Sequence, residues 1–136
     1  MSPDSGRSRR STTSDSRQDE WSYKRYGNVG VWNTEGWQGD VDETFEAVSD
    51  HYRETTREHT ITATLVVFGG ETALSKETQE RMGEEWSRTG RHAGIEKIGF
   101  VSEGLAALAV KAILDVPGAE IETFDTLEAG LDWARK

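Results

Sequence analysis

The sequence predicts an α/β fold: a single mixed, mostly parallel sheet flanked by helices, in the order β-β-α-β-α-β-α-β-α. Two observations predict it. From residue 29 onward, β-rich runs alternate with segments of helical periodicity, a pattern typical of parallel sheets with right-handed crossovers. The chain also has 136 residues, the length of one ordinary domain. Because the first strand precedes this alternation, we expect it to be an antiparallel edge strand.

Residues 1–20 have the composition of a disordered N-terminal tail, so we assign the folded domain to residues 21–136. The segment has no Val, Ile, Leu, Phe, Trp or Tyr, and its four arginines balance three aspartates and one glutamate. It therefore buries too little apolar surface to offset the entropy lost on ordering. Arginines 7, 9 and 10 lie among serines, which would suit a nucleic-acid contact or a phosphorylation target. A solvated leader without a specific partner is the simpler interpretation.

Two short β-rich stretches open the domain, at 21–26 and 29–35. Gly27-Asn28 separates them and is a turn-type pair, so the two stretches predict a hairpin. Glycines then break the chain before the first helix.

A helix is predicted over 41–57, with Asp40 as its N-cap. Four apolar residues fall at i, i+4, i+7 and i+11 on one helical face: Val41, Phe45, Val48 and Tyr52. The strand that follows, at 60–68, begins with alternation and ends as a solid apolar run, as a strand buried on both faces does. Gly69-Gly70 ends this strand.

The remainder of the domain continues the alternation of helices and strands. The predicted elements are a helix over 75–91, a strand over 95–101, a helix over 104–115, a strand over 119–124 and a final helix over 126–135. Ser75 lies near the start of the first of these helices, and Asp125 or Thr126 is expected to cap the last one. Pro117-Gly118 stops the helix between them.

The composition excludes several classes of protein. Acidic side chains outnumber basic ones 25 to 16, which argues against a protein that grips DNA or RNA. The absence of cysteine excludes disulfides, thiolate zinc sites, iron–sulfur clusters and cysteine nucleophiles. No apolar run approaches the roughly 20 residues of a membrane span, and no secretory signal begins the chain, so we expect a cytoplasmic protein. An acidic, lysine-poor surface favours a halophilic source, because salt screens its self-repulsion.

No catalytic motif survives inspection, and we expect a protein that is not an enzyme. Ser102 follows a strand and precedes a helix, where a hydrolase nucleophile would lie, but Phe100 occupies the position that requires glycine. A base histidine should also come later in the chain, whereas the last histidine is His92. With Glu103, these residues form the one polar cluster that an enzyme could use.

The sequence predicts neither a metal nor a cofactor. His51 and His59 lie eight residues apart, which is not the spacing of two ligands on one helical turn. The acidic run at 40–43 begins like a calcium loop, but Phe45 stands where the loop needs glycine. Gly69-Gly70 precedes a helix without the lysine spacing of a phosphate-binding loop, so a strand terminator is the simpler interpretation.

The helix predicted over 104–115 is apolar almost all round, more than one sheet face requires. Its surplus apolar residues could be covered by another helix of the chain, by a second subunit in a homodimer, or by a lipid-like ligand. The candidates for this apolar ligand or dimer surface are Leu105, Leu108, Ala109 and Ile113.

Several strings of the sequence resemble the STAS superfamily, especially its SpoIIAA-like branch. The core strand reads IEKIGFV, and the chain finishes with a strand ending in Phe124-Asp125 and a helix rich in Leu, Glu, Ala and Trp. The opening counterpart is the string 34–37, which leads into the first helix. The resemblance covers roughly residues 22–135 and implies a SpoIIAA-like fold that binds a protein partner instead of catalysing a reaction.

The resemblance also implies a switch serine at the start of the second helix. The matching string, 69–75, lacks the family's Asp-Ser-Ser-Gly pattern, and Thr72 and Ser75 are its only hydroxyls. A phosphate there would add negative charge to a docking surface, but Ser75 is equally suited to be a plain N-cap. Some members of the branch are compared with CRAL-TRIO lipid carriers, so a carrier or sensor of a small apolar ligand is the alternative function.

Open α/β sheets bind at the carboxyl ends of their strands, so we expect the partner at loops 69–75 and 102–105. The candidate partner-binding residues there are Gly69, Gly70, Glu71, Ser102 and Glu103.

Overall fold

The computed structural model describes residues 21–136, and the prediction of a tail over 1–20 lies outside this range. The described part contains one five-stranded sheet and four helices, which confirms the predicted α/β class and element order. The strands are β1 (Ser22–Tyr26), β2 (Val29–Thr34), β3 (Ala63–Phe68), β4 (Lys97–Val101) and β5 (Glu120–Phe124). The helices are α1 (Glu43–Thr56), α2 (Lys76–Ala93), α3 (Ala106–Ile113) and α4 (Leu127–Ala134).

The strands lie side by side in chain order, β1-β2-β3-β4-β5. β1 pairs with β2 in antiparallel orientation, with Tyr26 opposite Val29, and every later pair is parallel. Gly27 adopts a φ of 65° in the turn of this hairpin, a conformation that glycine reaches without a steric penalty. The sheet is therefore mixed and mostly parallel, with an antiparallel edge strand as predicted.

The two faces of the sheet are covered by different helices. Each crossover steps in the same direction along the sheet, so α1, α2 and α3 all pack on one face. Only α4, which follows the last strand, packs on the other face. The larger core includes Trp32, Phe45, Phe68, Met82, Trp86 and Phe100. β3 lies between the two layers and is buried along its whole length, as its apolar run predicted.

Three element boundaries differ from the expected ones for identifiable reasons. α1 begins at Glu43 and is capped by Asp42, not Asp40, because the Asp42 carboxylate accepts from the Phe45 amide (3.0 Å) and from the Trp37 indole (3.1 Å). β3 begins three residues later than predicted, after His59 turns the chain with a φ of 61°. α3 begins at Ala106, because residues 102–105 form a turn first.

Within residues 21–136, no helix combines the length and the apolar character that a bilayer crossing requires.

Candidate functional site

Three loops meet at the carboxyl edge of the sheet, and they include every residue predicted to bind a partner. We call residues 35–39, 69–75 and 102–105, which follow β2, β3 and β4, the carboxyl edge. Gly104 lies so close to the Gly70 carbonyl that a Cβ at position 104 would collide with it. Gly39, with a φ of 110°, approaches the Ala73 backbone in the same way. The edge is therefore a closely packed platform and not three independent loops.

Hydrogen bonds tie the first two loops together. The Ala73 amide donates to the Gln38 carbonyl at 3.3 Å, and the Ser75 amide donates to the Gly39 carbonyl at 3.2 Å. The Thr72 hydroxyl donates to the Trp37 carbonyl at 3.1 Å. Sequence reasoning did not place the loop after β2 at this edge, although its two glycines, three residues apart, signalled a tight turn.

The two candidate phosphorylation sites both have structural contacts. The Ser75 side chain accepts from the Thr78 amide at 3.1 Å and caps α2, as the plain N-cap interpretation predicted. Its oxygen also lies 2.7 Å from the Thr78 hydroxyl, which donates to the Gly39 carbonyl at 2.6 Å. A phosphate on Ser75, or on the half-buried Thr72, would alter contacts that hold the carboxyl edge. Whether either residue is a switch stays a prediction.

A cleft of about 420 Å³ opens over the ends of β2 to β5. At this end of the sheet β4 leads to α3 on one face, while β5 leads to α4 on the other. Three exposed carboxylates line it, on Glu35, Glu103 and Asp125. Ser102 is buried at its base, where its hydroxyl accepts from the Gly104 amide at 3.0 Å. This serine therefore stabilises the turn into α3.

An apolar strip runs along α3 beside this edge. Leu105 is 78 % exposed and Leu108 is 56 % exposed, and they are the exposed large hydrophobic residues of the described chain. With the half-buried Ala109 and the exposed Ala112 they follow i, i+3, i+4, i+7 spacing, and we call these four residues the α3 strip. A groove of about 380 Å³ separates the start of α3 from residues 70–74 and touches the strip at Leu105 and Ala109.

The rest of α3 is covered by the same chain. Ala106, Ala107 and Val110 are buried in the larger core. Ile113, also predicted to belong to the apolar surface, is half-buried and packs beside Gly83 of α2. The surplus apolar character of α3 is thus divided: a neighbouring helix covers one part, and the α3 strip stays open to solvent.

The three residues that an enzyme could have used do not come together. Ser102 directly follows β4, whereas His92 lies before β4 begins, roughly 16 Å away along the strand. Glu103 shares the edge with Ser102 but not with the histidine. In the part of the chain that the structure describes, no group of three or more His, Asp or Glu side chains could hold a metal ion.

A second group of charged residues lies at the opposite, amino edge of the sheet, and sequence reasoning missed it. Arg53 and Arg57 of α1 face Arg88 and His92 of α2 across a cleft. The available signal was the i, i+4 spacing of each pair, which places both members on one helical face. To find the cleft, one would also have needed to know that α1 and α2 pack side by side, which the sequence did not predict.

No protein-family model matches this chain, and neither a curated protein nor a solved structure does. The resemblance to the STAS superfamily therefore stands on the sequence strings that carry it.

Proposed function

We propose that this chain is a non-enzymatic, STAS-like interaction or regulatory module that binds a protein partner through its carboxyl edge. The observation that carries the proposal is the exposure of Leu105 and Leu108 beside a groove and a packed platform of loops. Burying apolar surface on association contributes about 25 cal/mol per Å², and aligned exposed leucines are a common feature of interaction surfaces.

The charges around the strip indicate the chemistry of the partner. Glu71 and Glu103 flank the groove, and Glu35 and Asp125 extend the acidic rim across the cleft. The cation on this part of α3, Lys111, lies 3.3 Å from Glu122, so a carboxylate stands beside it. We therefore propose a partner segment with apolar anchors and basic flanks, since complementary charge steers association and fixes its register.

The close packing of the loops supports binding without rearrangement. Gly39 and Gly104 leave no room for side chains between the backbones of the three loops. A surface held in one conformation loses little entropy when a partner binds, so more of the contact energy appears as affinity.

Photocrosslinking in a lysate of the cells of origin tests this proposal. One chain carries p-benzoylphenylalanine in place of Leu108, and the matched control carries it in place of Ala129, an exposed residue of α4. We expect one protein to crosslink through position 108 and not through 129, with the yield reduced when Leu105→Glu is added. The same products from both positions, or none from position 108, would refute the proposed surface. A crosslink between two copies would instead assign the strip to a homodimer.

A carrier of a small apolar ligand is the second candidate, because the groove beside Leu105 and Ala109 has the volume for one. Native mass spectrometry of the same purified chain distinguishes the two functions. A bound apolar molecule that Ala109→Arg displaces would favour the carrier. A chain without such a molecule would favour the protein partner.

A further inference from the structure

The cleft between the carboxyl-terminal ends of α1 and α2 gathers basic side chains in an acidic protein. We call it the basic cleft; it has a volume of about 310 Å³ and lies at the amino edge of the sheet. Residues 21–136 carry 12 basic and 21 acidic side chains, so a surface with three arginines in one cleft departs from the composition of the domain. The lining residues that matter here are Arg53, Thr56, Arg57, Arg88, His92 and Ala93.

The packing of the two helices fixes this arrangement. α1 and α2 run parallel and are held in register by Trp86, whose indole donates to the Ser49 hydroxyl at 2.9 Å. Thr56 is fully buried at the base of the basic cleft, and its hydroxyl donates to the Tyr52 carbonyl at 2.8 Å. The base is thus closed and its polar group is occupied, while the charged side chains form the exposed walls.

At one end of this helix pair an ion pair crosses between the two helices, and at the other end none does among the described residues. Toward the start of the helices, Arg81 pairs with Glu46 across the interface and with Glu85 on its own helix. In the basic cleft no carboxylate bridges the two helices. Arg88 and His92 make no ion pair or hydrogen bond with any described residue.

Arg53 and Arg57 each have a partner, but only within their own helix. They pair with Asp50 and Glu54 respectively, and all four side chains are about half exposed or more. Exposed pairs of this kind contribute on the order of 0–1 kcal/mol to stability, so both guanidinium groups remain available to a stronger anion.

We propose that the basic cleft binds a phosphate group, carried by a small phosphomonoester or as free phosphate. Guanidinium groups bind phosphate oxygens through paired, charge-assisted hydrogen bonds, and three arginines line this cleft. The C-termini of α1 and α2 carry partial negative charge, which favours nearby arginines. Each terminus contributes only about half a charge, which is less than the charge of the three arginines. The last carbonyls are also occupied in both helices: in α2 the His59 ring donates to the Ala93 carbonyl, and in α1 the His59 amide donates to the Thr56 carbonyl.

Calorimetric titration of the full chain with inorganic phosphate, and then with phenyl phosphate, at constant ionic strength tests the site. The variant is Arg88→Gln, and the control is Lys76→Gln, which removes an exposed cation from the other end of the same helix. We expect saturable binding that Arg88→Gln weakens by about tenfold and Lys76→Gln leaves unchanged. Tighter binding of phenyl phosphate would identify a phosphomonoester, and equal binding would identify the free ion.

Several results would overturn the proposal. One is the absence of saturable heat on titration with either phosphate or phenyl phosphate. Another is an equal loss of affinity in Arg88→Gln and Lys76→Gln, because it would show that only the net charge of the chain matters. A glutamate-rich peptide without phosphate that binds as tightly would refute the choice of phosphate. If Arg88→Gln alters the circular dichroism spectrum, Arg53→Gln replaces it as the test. The basic cleft lies at the opposite edge from the proposed partner surface, so these results do not depend on that proposal.

Discussion

His51 is a titratable residue that packs among aromatic rings. Its ring centroid lies 5.3 Å from that of Trp21 and 4.8 Å from that of Tyr23. The indole N–H of Trp32 donates to its Nδ1 at 2.9 Å, so the ring is neutral and carries its proton on Nε2. Burial lowers the pKa of His51 below its ordinary value of 6.5.

This lowered pKa predicts that the domain loses stability in acid. Below about pH 6.5, His51 binds a proton more readily in the unfolded state than in the folded state. Proton binding therefore favours the unfolded state, and the free energy of unfolding decreases as the pH falls. We predict that the free energy of unfolding, measured with urea at about pH 7.5 and about pH 5.5, falls less in His51→Gln than in the wild type. Glutamine keeps an acceptor for Trp32 but does not titrate.

The matched control for this prediction is His92→Gln, which removes an exposed histidine that has no hydrogen-bond partner among the described residues. It should retain the pH dependence of the wild type. Identical pH dependence in His51→Gln and the wild type would show that the Trp32–His51 contact does not hold the ring neutral.

Helix caps show which individual residues the sequence could predict. Ser75 was a candidate cap and is a cap, and of Asp125 and Thr126, both expected as caps of the last helix, Thr126 is the one. Asp42 replaced Asp40 because the indole of Trp37, from the preceding loop, donates to its carboxylate. Sequence rules for helix caps thus fail where a side chain from outside the helix stabilises one of two candidate caps.

The N-terminus of α2 distinguishes a structural role of Ser75 from a regulatory one. Ser75→Ala removes the acceptor for the Thr78 amide and should lower the free energy of unfolding by about 1 kcal/mol. Ser75→Asp keeps an acceptor and adds a charge, so its stability should stay near that of the wild type. Urea unfolding measures both changes, and an alanine variant as stable as the wild type would contradict the capping role.

The aspartate variant also addresses regulation by phosphate. If Ser75 is only a cap, crosslinking through position 108 stays at the wild-type level in Ser75→Asp. A changed crosslinking yield in a variant of normal stability would support the switch, because the added charge lies at the carboxyl edge.

Whole elements were more predictable than their mutual arrangement. Each of the nine predicted helices and strands is present, because hydrophobic periodicity is a local property of the chain. The parallel orientation of the later strands followed from the alternation, but the spatial order of the strands was not predicted, because several orders fit right-handed crossovers. The basic cleft and the loop 35–39 were missed, because each depends on which residues of two distant segments lie opposite one another.

The two candidate sites lie at opposite edges of the sheet and carry opposite charge. The cleft over the carboxyl ends of the strands has the carboxylates of Glu35, Glu103 and Asp125, and the amino edge has the arginines of the basic cleft. The charged residues that line each cleft are of one sign, so they repel one another in the folded state and favour binding of a ligand of the other sign. Salt screens both the repulsion and the attraction, so it should stabilise the fold and weaken the binding.

The net charge of −9 predicts that salt stabilises the fold while it weakens both proposed binding events. Raising the ionic strength from 0.1 M to 1 M shortens the screening length from about 10 Å to about 3 Å, so repulsion among the surface carboxylates declines. The midpoint of thermal unfolding, followed by circular dichroism in potassium chloride, should therefore rise. The increase should be smaller in a triple variant that replaces Glu35, Glu103 and Asp125 with the corresponding amides, because less repulsion remains to be screened. A midpoint that falls with salt would contradict the prediction that repulsion among the surface carboxylates lowers the stability of the fold. Phosphate that binds as tightly at 1 M as at 0.1 M would show that contacts other than the arginine charges hold it.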